Sequence, residues 1–257
     1  ACEKGQHWEA AVGLLRRTQE VKLEPDTITY GAAISAFEKC SWWERALDLW
    51  SRTQQNGLLR GVETCNAVIS AAEKSQQWMC ALHLLAHLPR ATVEPDVITH
   101  SAAISACEKG HQWVLALEIL QEVSDIGIQP NMLSYSATIS ATEKSRRWEH
   151  ALNVLHSMHV MSSQPNVITL SAAMGASKKG SQWWSALEVL REIPTRGLRP
   201  LSVSHDTAIL ALCSARQWEG ALGLLHLAGI FDLMPDAMSY SALLMELEQR
   251  GLCHHER

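Results

Sequence analysis

The chain has 257 residues, 47% hydrophobic and 19% charged, with 14 Gly, 8 Pro and a formal net charge of −5. That composition can fill a large core and excludes a disordered tail, a collagen-like chain or a low-complexity linker. No apolar run approaches the roughly 20 residues that a bilayer-spanning helix needs. The acidic balance does not favour a polyanion partner.

In chain order, the first regularity is the tryptophans: ten of them stand against three Tyr and two Phe. Trp8, Trp43, Trp78, Trp113, Trp148, Trp183 and Trp218 are each 35 residues apart. Alanine keeps the same step from Ala11 to Ala221, and lysine from Lys4 to Lys179, lapsing at Ser214. Proline recurs at Pro25, Pro95, Pro130, Pro165, Pro200 and Pro235, with Arg60 once in its place. This is recurrence at a fixed period, so the chain is a repeat array. A partial repeat over 1–26 precedes repeats 27–61, 62–96, 97–131, 132–166, 167–201 and 202–236, and 237–257 is a partial repeat and tail. Both ends fall inside repeats, as expected for a fragment of a longer array or one with atypical caps. At Ala1 there is no initiator Met, h-region or basic leader, so a targeting segment is expected to lie outside this sequence or not to exist.

Each repeat predicts two helices. In 97–131, Pro95-Asp96 supplies a stop and an N-cap, an apolar and small-residue stretch runs from Ile98 to Cys107, and Lys109-Gly110 closes the first helix. The second runs from about Trp113 to Val123, with Ala116, Leu117, Leu120 and Val123 on one stripe, and Gly127 and Pro130 end it. Two three-turn helices cannot bury their stripes alone, so repeats must stack. The fold class read from this pattern is all-α, a superhelical solenoid of stacked helix-turn-helix repeats. Trp is expected to cover the junction between repeats, although an aromatic binding platform is the alternative. The repeated Ala is expected where two helices approach closely.

The chemistry-bearing residues give little else. Cys2, Cys40, Cys65, Cys80, Cys107, Cys213 and Cys253 are odd in number and lack CxxC spacing; they read as reduced thiols, not zinc ligands. His83 and His87 have the i, i+4 spacing of a two-His metal edge, and His156 and His159 are i, i+3, but no third ligand recurs with either pair. His254-His255 falls in the tail. No nucleophile–base set, phosphate loop or acidic metal cluster is visible, so neither an enzyme nor a cofactor is expected.

A 35-residue two-helix unit that closes in G-[IL]-x-P-[DN] and reopens in V-[IL]-T-x-S resembles the pentatricopeptide repeat family, of the kind with uniform 35-residue units. "VEPDVITHSAAISACEKGHQWVLALEIL" and "GIQPNMLSYSATISATEKSRRWEHALNVL" carry the match. A tetratricopeptide array would step by 34. The "SACEKG…W" phrasing is similar to the large sets of dinoflagellate algae. The resemblance implies a right-handed superhelix that binds single-stranded RNA, one nucleotide per repeat. It implies first helices lining a concave groove, with residues 5 and 35 of each repeat reading a base, residue 2 wedging between bases, and a lysine at residue 13 touching phosphate.

Carried over, Asn66 with Asp96 is the uridine pair; Ser101 with Asn131, and Ser136 with Asn166, point to adenine, giving a core 5'-U-A-A-3'. Ser171 with Leu201 keeps one polar reader, Asp206 with Asp236 is not a common pair, and Gly31 with Gly61 offers no side chain. The wedges are Ile28, Ile98, Leu133, Ile168, Val203 and Met238, with Glu63 in place of one. The phosphate-contacting lysines are Lys39, Lys74, Lys109, Lys144 and Lys179, a one-sided stripe. Asp96, Asn131, Asn166 and Asp236 also suit a helix N-cap, and the lysines suit the negative end of a helix dipole. The resemblance further implies action in a chloroplast or mitochondrion, in RNA processing, stability or translation, with a catalytic or ribosomal protein as a possible partner and neither a membrane nor a small-molecule substrate. A protein-interaction solenoid is the alternative function, favoured by the acidic balance, the glycine readers and Glu63.

Overall fold

A computed structural model of the chain describes residue 13 and residues 27–55, 61–89, 93–161, 163–230 and 233–250. Lys4, Trp8, Ala11, Pro25, Arg60, Cys2, Cys253 and His254-His255 lie outside the described residues. Among those described there are thirteen long helices and no strand. In order they are α1 Thr27–Lys39, α2 Trp43–Gln55, α3 Val62–Lys74, α4 Trp78–His87, α5 Val97–Lys109, α6 Trp113–Asp125, α7 Met132–Lys144, α8 Trp148–Val160, α9 Val167–Lys179, α10 Trp183–Thr195, α11 Ser202–Ser214, α12 Trp218–Ile230 and α13 Ala237–Gln249. Odd numbers are the first helices of their repeats and even numbers the second. The fold is an all-α solenoid of helical hairpins.

The first helices begin where the sequence offers a cap. Asp96 sits in extended backbone, and its carboxylate accepts the Thr99 amide at 2.8 Å. Asn131 accepts the Ser134 amide and Asn166 the Thr169 amide, each at 2.8 Å. A cap of this kind stabilises a helix by about 1 kcal/mol. At Leu201 no side chain caps α11, and the helix forms all the same.

The first helix of repeat 97–131 ends at Lys109-Gly110, as expected. Gly110 has φ −83 and is not the left-handed residue; His111 is, at φ 57. Ser41, Gln76, Arg146, Ser181 and Arg216 occupy the same place in their repeats, with φ between 56 and 59. The Gln112 amide reaches back to the Cys107 carbonyl at 2.9 Å and the His111 amide to Glu108 at 3.2 Å, a Schellman closure. These bonds and the packing beyond them offset the roughly 1 kcal/mol that a non-glycine residue loses in the left-handed region.

Gly110 serves packing instead. A Cβ built there would lie 2.5 Å from Cγ of Trp78, and one at Gly180 would lie 2.7 Å from Cγ of Trp148. Trp therefore does cover the junction: it leans from the start of one second helix onto the end of the next repeat's first helix. Cys40, Ser75, Ser145 and Ala215, all small, hold the same repeat position.

The described residues form two compact halves, divided between Ala137 and Thr138 within α7. In the N-terminal half α1, α3 and α5 pack on one another in succession, with α2, α4 and α6 behind them. In the C-terminal half α9, α11 and α13 do the same, with α10 and α12 behind. Two repeat positions carry this packing. Ala46, Ala81, Ala116, Ala151, Ala186 and Ala221 are all fully buried, as the close-approach expectation required. Ile34, Ile69, Ile104, Ile139, Met174 and Ile209 are also fully buried, each worth roughly 1.5–3 kcal/mol of transfer free energy.

Replacing Gly110 with Ala should cost about 1–3 kcal/mol in urea denaturation, because the methyl group overlaps the Trp78 ring. Gly223 in α12 faces open space. Gly223→Ala should therefore be neutral or stabilise by up to about 1 kcal/mol.

Candidate nucleic-acid interface

The first helices put repeat residues 2, 5 and 13 on one face. Residues 2 and 13 are eleven apart, about three turns, and differ by only about 20° in direction, while residue 5 lies one turn from residue 2. At residue 2 the structure exposes Ile28, Ile98, Leu133, Ile168, Val203 and Met238, each between 54% and 79% accessible, and Glu63 is exposed likewise. Large apolar groups left in water at one recurring position mark a contact surface.

The candidate base readers form a more connected arrangement than residue types alone indicated. Asn66 Nδ2 donates to both carboxylate oxygens of Asp96, at 3.2 and 3.3 Å. The Thr99 hydroxyl lies 2.5 Å from Asn66 Oδ1 and 2.8 Å from Asp96 Oδ1. The Asp96 amide donates to that hydroxyl at 3.2 Å, completing a capping box. Burial alone would raise the Asp96 carboxyl, but the bonds from Thr99, Asn66 and the Ile98 amide outweigh it and hold its pKa below 3.8.

The hydroxyl's contact with residue 5 recurs in the C-terminal half. Ser204 is hydrogen-bonded to Ser171 at 3.0 Å. Ser239 donates to Asp206 at 2.7 Å, and the Asp236 amide donates to the same Asp206 oxygen at 2.9 Å. A donated amide and hydroxyl reconcile Asp206 with its neighbouring Asp236, which is exposed. The bridging hydroxyl is residue 3 of the following repeat, a role the sequence reading missed. Its signal was present as the T in V-[IL]-T-x-S, at Thr29, Thr64, Thr99, Ser134, Thr169, Ser204 and Ser239.

The serine readers are placed less openly than expected. Ser101 is 3% exposed and donates to the Ile98 carbonyl of its own helix at 2.9 Å. This corrects the expectation of an accessible reader there, because a side chain this short, turned onto its own backbone, has no reach beyond its neighbours. Ser136 is half-buried and donates to the Leu133 carbonyl. Asn131 spends its Oδ1 on the Ser134 amide and hydroxyl, which leaves the Nδ2 hydrogens for a ligand.

The lysines are paired. Lys74 Nζ lies 2.9 Å from Glu38, Lys109 2.9 Å from Glu73, and Lys179 2.9 Å from Glu143. Each joins residue 13 of one repeat to residue 12 of the repeat before. The sequence reading, which singled out the lysines, passed over these glutamates although they keep the same 35-residue step.

The histidines take other roles. His159 Nε2 lies 3.1 Å from Glu192 and 2.7 Å from Arg196; burial and Arg196 lower its pKa against the pull of Glu192. His205 is buried with no partner for either ring nitrogen, and burial pushes its pKa down despite Asp206. Among the described residues no three His, Cys, Asp or Glu side chains cluster as a metal site.

Comparison with known proteins bears on this interface. A family model described as a pentatricopeptide repeat domain matches residues 116–179, and one described as a PPR repeat matches residues 28–58. No curated protein matches the chain. The crystal structure of the pentatricopeptide repeat protein PPR10 from maize is similar over 95% of this chain and 39% of that one, at 18% identity and a TM-score of 0.57. PPR10 in complex with an 18-nucleotide psaJ RNA element aligns at a TM-score of 0.54 over 40% of its length. The PPR domain of Arabidopsis thaliana protein-only RNase P 1, in complex with tRNA, aligns over 70% of this chain and 95% of that domain, at 11% identity and a TM-score of 0.62. The chain thus spans about two fifths of PPR10, and at these identities the likeness establishes the fold.

Thr99→Val should cost about 1–2 kcal/mol at neutral pH, because Asn66 and Asp96 lose a shared, buried partner. The part of that difference that arises from the depressed Asp96 pKa is fully present above about pH 3.8 and is lost as pH falls through the folded-state value. Urea titrations of both proteins at neutral and acid pH would show the gap closing.

Proposed function

As the chain belongs to the pentatricopeptide repeat family, we propose that it binds single-stranded RNA in a sequence-dependent way, one nucleotide per repeat. The observation that carries this is the stripe of exposed apolar side chains at residue 2. It provides sequence-tolerant sandwich contacts for unpaired bases beside polar groups that distinguish them. The core is 5'-U-A-A-3', read by repeats 62–96, 97–131 and 132–166. In the second of these, Asn131 carries the recognition through its amide hydrogens, which suit an acceptor such as adenine N1. PPR10 and protein-only RNase P 1, both seen with RNA, support the class of ligand. The chain acts as an adaptor in a chloroplast or mitochondrion that masks, remodels or delivers a transcript to a catalytic or ribosomal partner, and is not itself an enzyme.

A second reading, a solenoid that binds protein, draws on specific observations: the paired lysines, the buried Ser101 and the acidic Glu63. Fluorescence anisotropy separates the two. A short strand containing UAA should bind at least about tenfold more tightly than its UCC counterpart. Asn131→Leu, which Leu201 shows the scaffold accepts at that repeat position, should abolish discrimination at the second nucleotide. Equal affinity for all strands, or none at low salt, would favour the protein-binding reading.

A further inference from the structure

We infer that Glu38, Glu73 and Glu143 hold the first-helix lysines in a self-neutralising ladder that sets how strongly this face attracts a polyanion; that the natural polyanion is RNA rests on the reading above. Three pairs have one geometry: a carboxylate at residue 12 and an ammonium at residue 13 of the next repeat, 2.9 Å apart. Glu108 and Lys144 hold the same two positions in the sequence. The pattern stops at both partners together. Where Ser214 replaces the lysine, Lys178 replaces the glutamate that would have faced it. A covariant break of this kind within one chain is what a pair predicts, since a glutamate kept there would face no cation.

The consequence is electrostatic. A lysine already on a carboxylate must exchange that partner for a phosphate, and the displaced glutamate then repels the same phosphate. Each paired lysine therefore adds less to affinity and to salt dependence than a free one does. Among the described residues the Lys178 side chain, near the end of α9, has no ion pair or hydrogen bond and lies beside Leu210, Cys213 and Ser214 of α11. It is the cation of this series with most to offer a phosphate, although the lysine stripe at residue 13 does not include it.

The test compares the whole chain with Glu38→Gln/Glu73→Gln/Glu143→Gln in two assays. One is the salt needed for elution from immobilised heparin, a polyanion without bases. The other is the slope of log affinity against log salt for the UAA-containing strand. Expected results are later elution and a slope steeper by about 0.7 per freed lysine, so about 2 in all. Lys178→Gln in the parent chain should also lower heparin retention more than Lys109→Gln. Unchanged or earlier elution by a triple variant with the parent's far-UV circular dichroism, or equal losses from the two lysine variants, would overturn the ladder. A parent chain that fails to separate UAA from UCC while the triple variant still elutes later would sink base reading and leave the ladder standing.

Discussion

The structure depends on how closely neighbouring helices can approach. At one position in every second helix the side chain is a methyl group, Ala46 through Ala221, and it is buried completely each time. Interiors pack at crystal-like density, so a larger group there would push the helices apart and change the rise from one repeat to the next. Small residues at the ends of the first helices do the same for tryptophan, most tightly at Gly110 and Gly180. A repeat that can sit on its neighbour in only one way holds the polar residues at their junction in one arrangement.

On that frame, hydrogen bonds across the repeat junction orient these polar residues. A buried hydroxyl from the following repeat holds Asn66 against Asp96, ties Ser171 to Ser204 and grips Asp206. The result is that these side chains are already ordered, so any ligand they contact is captured without their rotamer entropy being lost at that moment. On the proposed reading, helix capping and base reading are shared tasks of one group. Asn131 and Asn166 give their oxygens to the helix and keep their amide hydrogens for a partner.

Much of the fold was legible because a 35-residue step repeated without insertion leaves few alternatives. Helix count and order, the buried alanines and the tryptophan at the junction all follow from Trp8 to Trp218 standing in register. Lys109-Gly110 closes the first helix as read, but the left-handed residue is His111 and the glycine yields to a ring from another repeat, neither of which the sequence marked. The site was legible in residue type but not in connection. That Ser101 would be sealed, or that lysines would meet glutamates a repeat away, depends on how neighbouring helices are set side by side, which no local pattern encodes. Thr99 and Glu73 keep the same 35-residue step in neighbouring columns, residues 3 and 12, which were not the ones chosen.

The central claim is that successive repeats meet successive nucleotides, and photocrosslinking tests it most directly. With 4-thiouridine at the U of a UAA-containing strand, crosslinks should fall in peptides around Asn66 and Asp96. Moving the thiouridine one nucleotide toward the 3' end should move them 35 residues on, to peptides around Ser101 and Asn131. Crosslinks that stay in one place as the label moves, or that fall on the second helices, would contradict it.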